Sequence, residues 1–298
     1  MSRSQNPRRE KSNITQAFTS IFGDTENNTL NGTADNNLIY GSAGNDAISG
    51  GDGYDVLTYK DTGRAISLLR GGTILQGNMY TDQITDFSIE KIIGPRGLNN
   101  TIDGSSGSTA FIDANSQTGL LTINGLPGIG SASIEFENFR SFLGTQNSDI
   151  LTGSRNDEQF DGSSGDDYIQ AGGGRDQLTG GFGNDIFAYE RGHSTLSQWD
   201  TITDFSVSED FIQWEQEINQ MIDIGFDNNL RKRDINALLE KNNFTDGTAA
   251  FMRTIDPRED IERSFLMIND SKDGFQERDD AMIEITDFTG SFQEINFI

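Results

Sequence analysis

The chain has 298 residues, with 47 Asp and Glu against 22 Lys and Arg, a net charge of −25 and a pI near 4.2. Charge of that sign repels phosphate backbones and anionic membranes, so nucleic acid is excluded as a natural partner and cations are favoured. With 33% hydrophobic residues, 34 Gly and no Cys, disulfides and thiolate metal sites are excluded, and a thin repetitive core suits the composition better than one large apolar core.

Residues 1–22 read as an N-terminal tail with a short helix around Ile14–Phe22. The basic start lacks the apolar stretch of a signal peptide. No run approaches eighteen apolar residues, so no transmembrane segment is expected. Residues 23–58 then divide into nines: GDTENNTLN, GTADNNLIY, GSAGNDAIS, GGDGYDVLT. The eighth place holds Leu30, Ile39, Ile48 and Leu57; the sixth holds Asn28, Asn37, Asp46 and Asp55. Neutral Asn in the first two units predicts weak cation binding there, as at a fraying cap.

Two insertions follow, at 59–93 and 112–143. Their alternating runs, such as Ala65–Leu69 and Leu120–Ile123, predict longer strand pairs that continue one coil. Between them PRGLNNTID and GSSGSTAFI keep apolar residues at the eighth place, Ile102 and Phe111, but have Asn100 and Thr109 at the sixth.

Residues 144–188 give five more units in unbroken register: GTQNSDILT, GSRNDEQFD, GSSGDDYIQ, AGGGRDQLT, GGFGNDIFA. The sixth place is Asp149, Glu158, Asp167, Asp176, Asp185; the eighth is Leu151, Phe160, Ile169, Leu178, Phe187. Glycine at places 1, 2 and 4 permits a tight turn. The last three residues are extended, and the invariably apolar middle one points inward. One unit is a turn and a short strand, two make a coil, and coils stack at about 4.8 Å. Stacked carboxylates at that spacing repel by about 0.9 kcal/mol per pair even in water. A hard dication with oxygen ligands removes the repulsion, and calcium suits many oxygens in flexible geometry. A Gly/Asp-rich linker has no reason to keep an apolar residue at every ninth place, and a metal-free solenoid would carry the acidic column as a liability.

The last of these units fits G-G-x-G-x-D-x-U-x at every fixed place, so the chain resembles the RTX, or haemolysin-type, calcium-binding repeat family. The resemblance implies a mainly β fold, a parallel β-roll over 23–190 with long strand insertions, holding several calcium ions. The ligands it implies are Asp46, Gly51, Gly53, Asp55, Asp149, Glu158, Gly165, Asp167, Gly174, Asp176, Gly181, Gly183 and Asp185. It further implies export by a type I secretion machinery and an extracellular or cell-surface location, with the ending Glu294–Ile298 similar to the family's export signal.

After Ala188 the glycines thin out: thirty precede Ser194 and four follow. Residues 191–298 are therefore expected to form a smaller α+β cap. Asp200–Trp214 resembles the D-x-I-x-D-F segment that closes such rolls, with Asp200 and Asp204 as further ligands; TDQITDF at Thr81–Phe87 echoes it. Leu230, Ile235, Leu238 and Leu239 share one helical face, with Asn228 or Asn229 as cap, and predict a helix over the roll's open end. Strands are expected at Ala249–Thr254, Ser264–Ile268, Ala281–Phe288 and Glu294–Ile298. The stretch from Phe265 to Gly290 resembles the bluetail module of cyanobacterial calcium-binding surface proteins. Within it Asn269, Ser271, Asp273, Gly274, Glu277 and Asp280 fall at EF-hand spacing, but the loop ends in Asp and precedes a strand.

Catalysis finds little support in the residues. His193 is the sole histidine, which rules out a two-histidine zinc motif, and there is neither a cysteine nor a G-x-S-x-G elbow. The reading is therefore a non-enzymatic calcium-binding β-roll. A surface adhesion or matrix component with calcium-bridged self-association is the second reading, and a carboxylate hydrolase on a calcium-stabilised fold the third.

Overall fold

Each nonapeptide spends its last three residues on a strand and its first six on a corner. The computed structural model describes residues 17–106, 110–126, 130–226, 235, 237–239, 244–256, 261–269, 276 and 279–298. Among these, the strands form two sheets of 12 and 14 members. Units pair two apart, in parallel and in register: Ile39 with Leu57, Leu30 with Ile48, Leu151 with Ile169, Phe160 with Leu178, Ile169 with Phe187. All nine of these eighth-place residues are buried and belong to one core running between the sheets. The mainly β, parallel roll read from the sequence is the fold.

Strand Thr19–Phe22 begins the first sheet, beside Asn37–Tyr40. The helix expected around Ile14–Phe22 is thus replaced from Thr19 onward by strand, because the neighbouring unit offers a parallel edge; the positions before Ala17 lie outside the described residues.

The insertions differ from the expected strand pairs. Each is a meander of three antiparallel strands placed within one sheet. Ile66–Leu69, Thr73–Gln76 and Tyr80–Ile84 enter the second sheet. Their outer members lie parallel to Asn100–Asp103 and Ala47–Ser49. Phe111–Asn115, Leu120–Leu126 and Gly130–Glu137 enter the first sheet, with outer members parallel to Ile150–Thr152 and Lys91–Ile93. An odd number of strands lets the coil resume in its original direction. Each meander adds two strands beyond the one a coil needs, and they sit on opposite sheets. The sheets come back into step before the five-unit block.

One predicted register slips. Phe111 is exposed, while Ile112 and Ala114 point inward, Ala114 stacking on Leu151. The connection from Gly104 holds one residue more than a nonapeptide turn, which flips every side chain of the strand. Thr109 lies outside the described residues.

The sheets run on past residue 190. Asp200–Ile202 and Phe211–Gln213 continue the coil beside Gln177–Thr179 and Ile186–Ala188. Ala281–Ile285 then pairs with Asp200–Ile202, followed by Ile261–Ile268, Thr248–Asp256 and Gln220–Phe226. Asn296–Phe297 ends the first sheet beside Phe211–Gln213. Gln220–Phe226, a strand, precedes the residues expected to be helical. Ile235, Ala237, Leu238 and Leu239 are helical. Buried Ile235 and Leu239 pack with Ala250, Met252, Phe265, Met267 and Met282. This helical segment therefore covers the outer face of the C-terminal meander, not the roll's open end. Its sheet alternates, sending Ala249, Leu266, Ile268 and Ile283 to the main core. Leu230, Asn228 and Asn229 lie outside the described residues.

Candidate metal centre

The corners stack into two columns, one on each edge of the roll, and the sixth-place residue stands at the end of each corner. Asp149 Oδ1 accepts from Ile112 N and Glu158 Oε1 from Ser154 Oγ; in Asp46, Asp55, Asp167, Asp176 and Asp185 the first oxygen makes one shared bond. It accepts from the backbone N–H of the sixth-place residue two units earlier: Asp149 to Asp167 at 2.7 Å, Asp167 to Asp185 at 2.9 Å, Glu158 to Asp176 at 2.7 Å, Asn37 to Asp55 at 2.7 Å, Asn28 to Asp46 at 2.8 Å. The 18-residue separation is two nonapeptides. Every carboxylate of both columns is thus fixed and buried.

The second oxygen divides the acids into two classes. Asp149 Oδ2 accepts from Thr145 N at 2.5 Å, Glu158 Oε2 from Ser154 N at 2.6 Å, and Asp46 Oδ2 from Ser42 Oγ at 3.1 Å. Their second-place residue turns a donor inward. Asp55, Asp167, Asp176 and Asp185 have a buried Oδ2 with no hydrogen-bond partner among the described residues. Their second-place residues are Gly51, Ser163, Gly172 and Gly181, all with positive φ, at 90°, 74°, 84° and 100°. That conformation swings the N–H outward: Ser163 N donates to Asp161 Oδ1, and Gly181 N to Asp204 Oδ2. A buried acceptor left without a donor costs free energy, and an ionised one costs more. Where the sixth place is Asn the amide satisfies itself: Asn37 accepts from Thr33 N and donates to Thr33 Oγ1, and Asn100 donates to Pro95 O and Asn138 O.

The fourth-place glycines Gly53, Gly165, Gly174 and Gly183 also have positive φ. A Cβ on Gly183 or Gly181 would collide with the carbonyls of Gly165 and Ser163 beneath. The first-place glycines serve otherwise than expected. Their φ is ordinary, and what they supply is room. A Cβ on Gly153 would overlap the carbonyl of Ala171, and one on Gly162 would meet both Asp167 Oδ2 and the carbonyl of Gly180. Ala171 occupies a first place because the corner above it, which starts at Tyr189, is not a nonapeptide.

Burial drives the carboxyls upward in pKa. In Asp167 desolvation and the charges of Asp149 and Asp185 outweigh the Asp149 N–H bond, giving about 8. Asp176 also reaches about 8, by desolvation and then the charge of Glu158, and Asp185 about 7. Asp55 is raised by desolvation. A hard cation at the unpartnered oxygens would favour the charged form and supply the missing partner. Among the described residues no three carboxylate or imidazole groups converge, so backbone carbonyls must provide the remaining ligands. The donor set, carboxylate plus carbonyl oxygen without sulfur or nitrogen, fits calcium.

The same ladder takes in acids beyond the repeats. Asp82 and Glu90 accept from Asp46 N and Asp55 N, and Asp200 and Asp210 from Asp176 N and Asp185 N. Asp82, Glu90 and Asp210 are not among the ligands expected from the sequence; the TDQITDF echo is a signal for Asp82, and Asp210 lies within the Asp200–Trp214 segment. Asp204 spends both oxygens on Gly180 N and Gly181 N and braces that corner. In the EF-hand-like stretch Asn269 and Asp280 are buried, and Asp280 Oδ2 accepts from Gln276 N at 2.6 Å. Ser271, Asp273, Gly274 and Glu277 lie outside the described residues. His193 is half-buried in a corner loop, its pKa lowered by desolvation.

The sequence pattern of the RTX calcium-binding nonapeptide repeat matches four times, at 22–57, 143–168, 152–187 and 161–196. The chain therefore carries RTX repeats in both blocks, while the meanders and residues 197–298, which include the bluetail-like stretch 265–290, lie outside the matches. No curated protein matches the chain.

Proposed function

We propose that this protein is a calcium-binding β-roll that completes its fold by ligating calcium outside the cell. The observation that carries the reading is the coincidence of positive φ at the second place with an unpartnered buried carboxylate oxygen. The corners at Asp55, Asp167, Asp176 and Asp185 are those that would hold the ion, together with carbonyls of the stacked glycines. Bound calcium would supply charge that lets these buried acids stay ionised.

The consequence is coupled folding. Without the ion, carboxylates must be neutralised or left buried and charged, so the roll is weakly held. With it, ligation free energy becomes folding free energy. Affinities of extracellular calcium modules, on the order of 10⁻⁴–10⁻³ M, would leave the sites empty in cytoplasm and fill them after export. A type I route, surface or extracellular location and a non-enzymatic role follow the RTX resemblance. The test is far-UV circular dichroism through a calcium titration with magnesium as control. A cooperative gain of β signal with calcium alone is expected; a chain equally folded in chelator, with no calcium response, would contradict the reading.

A further inference from the structure

Between the two meanders one edge of the roll stands open. Where the chain passes from the second sheet to the first, corners of the repeats stack on one another and close the space between the sheets. The corners that leave Ile84 and Asp103 are not stacked neighbours. Two strands intervene on the second sheet, Ile66–Leu69 and Thr73–Gln76, and two on the first, Leu120–Leu126 and Gly130–Glu137. Each pair is antiparallel and turns back at this edge, so neither sends chain across to the other sheet. Three strand spacings, about 14 Å, therefore separate the two corners.

The gap leads into a cavity of about 500 Å³. Among the described residues Leu68, Ile84 and Ile102 line it from the second sheet, and Ile112, Ile123 and Ile134 from the first. Core residues of the repeats such as Ile48, Leu57, Leu151 and Leu178 have no exposure, whereas Leu68 keeps 6%, Ile84 8% and Ile112 3%. A mostly apolar cavity of this size with a few polar groups has the form of a small-molecule site. The charged side chains that line it are Arg70, Asp86 and Asp103, each near the end of a strand on this edge and each at least partly exposed. Asp86 accepts from Ser49 Oγ and Asp103 from Ser105 Oγ, both at 2.6 Å. Arg70 makes no ion pair among the described residues.

We propose that this cavity binds one single-chain amphiphile with a zwitterionic head: the alkyl chain lies between the sheets, the anion of the head on Arg70 and its cation beside Asp86 and Asp103. The walls offer an alkyl chain apolar surface and no buried charge. A rim with charges of both signs complements a head with charges of both signs. A free fatty acid fits less well, because its carboxylate would meet two carboxylates for one guanidinium. The cavity lies outside both repeat blocks, so the site is independent of the calcium reading.

Isothermal titration calorimetry on the full chain in calcium tests the site, with dodecylphosphocholine below its micellar concentration as the probe and laurate and dodecyl maltoside as comparisons. One phosphocholine per chain is expected, with the anionic and the uncharged amphiphile about tenfold weaker, a difference of about 1.4 kcal/mol. Ala132, which also lines the cavity, supplies the blocking variant: Ala132→Phe should abolish the heat of binding while keeping the β signal in circular dichroism. Arg70→Ala should weaken phosphocholine about fivefold and leave the maltoside unchanged. No saturable binding to the wild type, or wild-type binding in a folded Ala132→Phe, would overturn the site. If Ala132→Phe does not fold, an unchanged phosphocholine affinity in Arg70→Ala overturns the proposal, as does laurate binding as tightly as phosphocholine.

Discussion

Ser163 shows what decides between the two classes of acid. Ser42, Ser154 and Ser163 all occupy the second place of a unit, yet only Ser163 has positive φ, and only its acid, Asp167, is left with a free oxygen. Asp167→Asn is expected to leave stability in chelator unreduced, because the amide mimics Asn37. It should remove one calcium's share of stabilisation, about 2.7 kcal/mol at a hundred times the dissociation constant. Asp149→Asn should leave the calcium response close to wild type; thermal melts with and without calcium read both. First-place glycine makes a second pair. Gly153→Ala drives a methyl into the Ala171 carbonyl and should cost about 1–3 kcal/mol, whereas Gly173→Ala meets nothing within 4 Å and should be near neutral. The acidic columns and inward apolar residues were legible from the ninefold period. Which acids keep a spare oxygen was not, because a serine's φ is set by its surroundings, here the Asp161 carboxylate that holds Ser163 N–H.

At the scale of elements, the meanders and the core carry the argument. The insertions announced themselves as alternating runs, but their three-strand parity follows from pairing on both flanks, which no local pattern records. Because each meander adds two strands to a different sheet, removing two strands from one alone leaves the sheets out of step. Excising 66–79 should abolish cooperative unfolding. Excising 66–79 and 111–129 together should restore it, as followed by circular dichroism on heating. The core has no such redundancy: Leu178 is fully buried between Phe160 and Ile202 in the sheet ladder. Leu178→Ala should cost about 2–5 kcal/mol in denaturant titration. The helical segment carrying Ile235, Leu238 and Leu239 was legible by its period, but its place was not. It covers a sheet face that exists only once Thr248–Asp256, Ile261–Ile268 and Ala281–Ile285 have paired.

Over the whole molecule the buried carboxyls set the response to pH. Asp167 and Asp176 are pushed to about 8, Asp185 to about 7 and Asp210 to about 6, each chiefly by desolvation. The folded metal-free chain therefore holds more protons than the unfolded chain between about pH 4 and 8, the span from the ordinary Asp pKa to these values. Its stability should be greatest near pH 4 and fall toward pH 8. Calcium requires the carboxylates, so its affinity should rise over the same window and its binding should release protons. Melting temperatures at pH 5 and pH 8 check both signs: lower at pH 8 in chelator, with the larger calcium increment also at pH 8. The measurement that meets the central claim most directly is a calcium count by equilibrium dialysis on two multiple variants. One replaces Asp55, Asp167, Asp176 and Asp185 with Asn; the other replaces Asp46 and Asp149 with Asn and Glu158 with Gln. The first should lose most of its calcium while keeping its β signal in chelator, and the second should bind as the wild type does. Equal losses in the two, or a larger loss in the second, would contradict the division of the acids by second-place conformation.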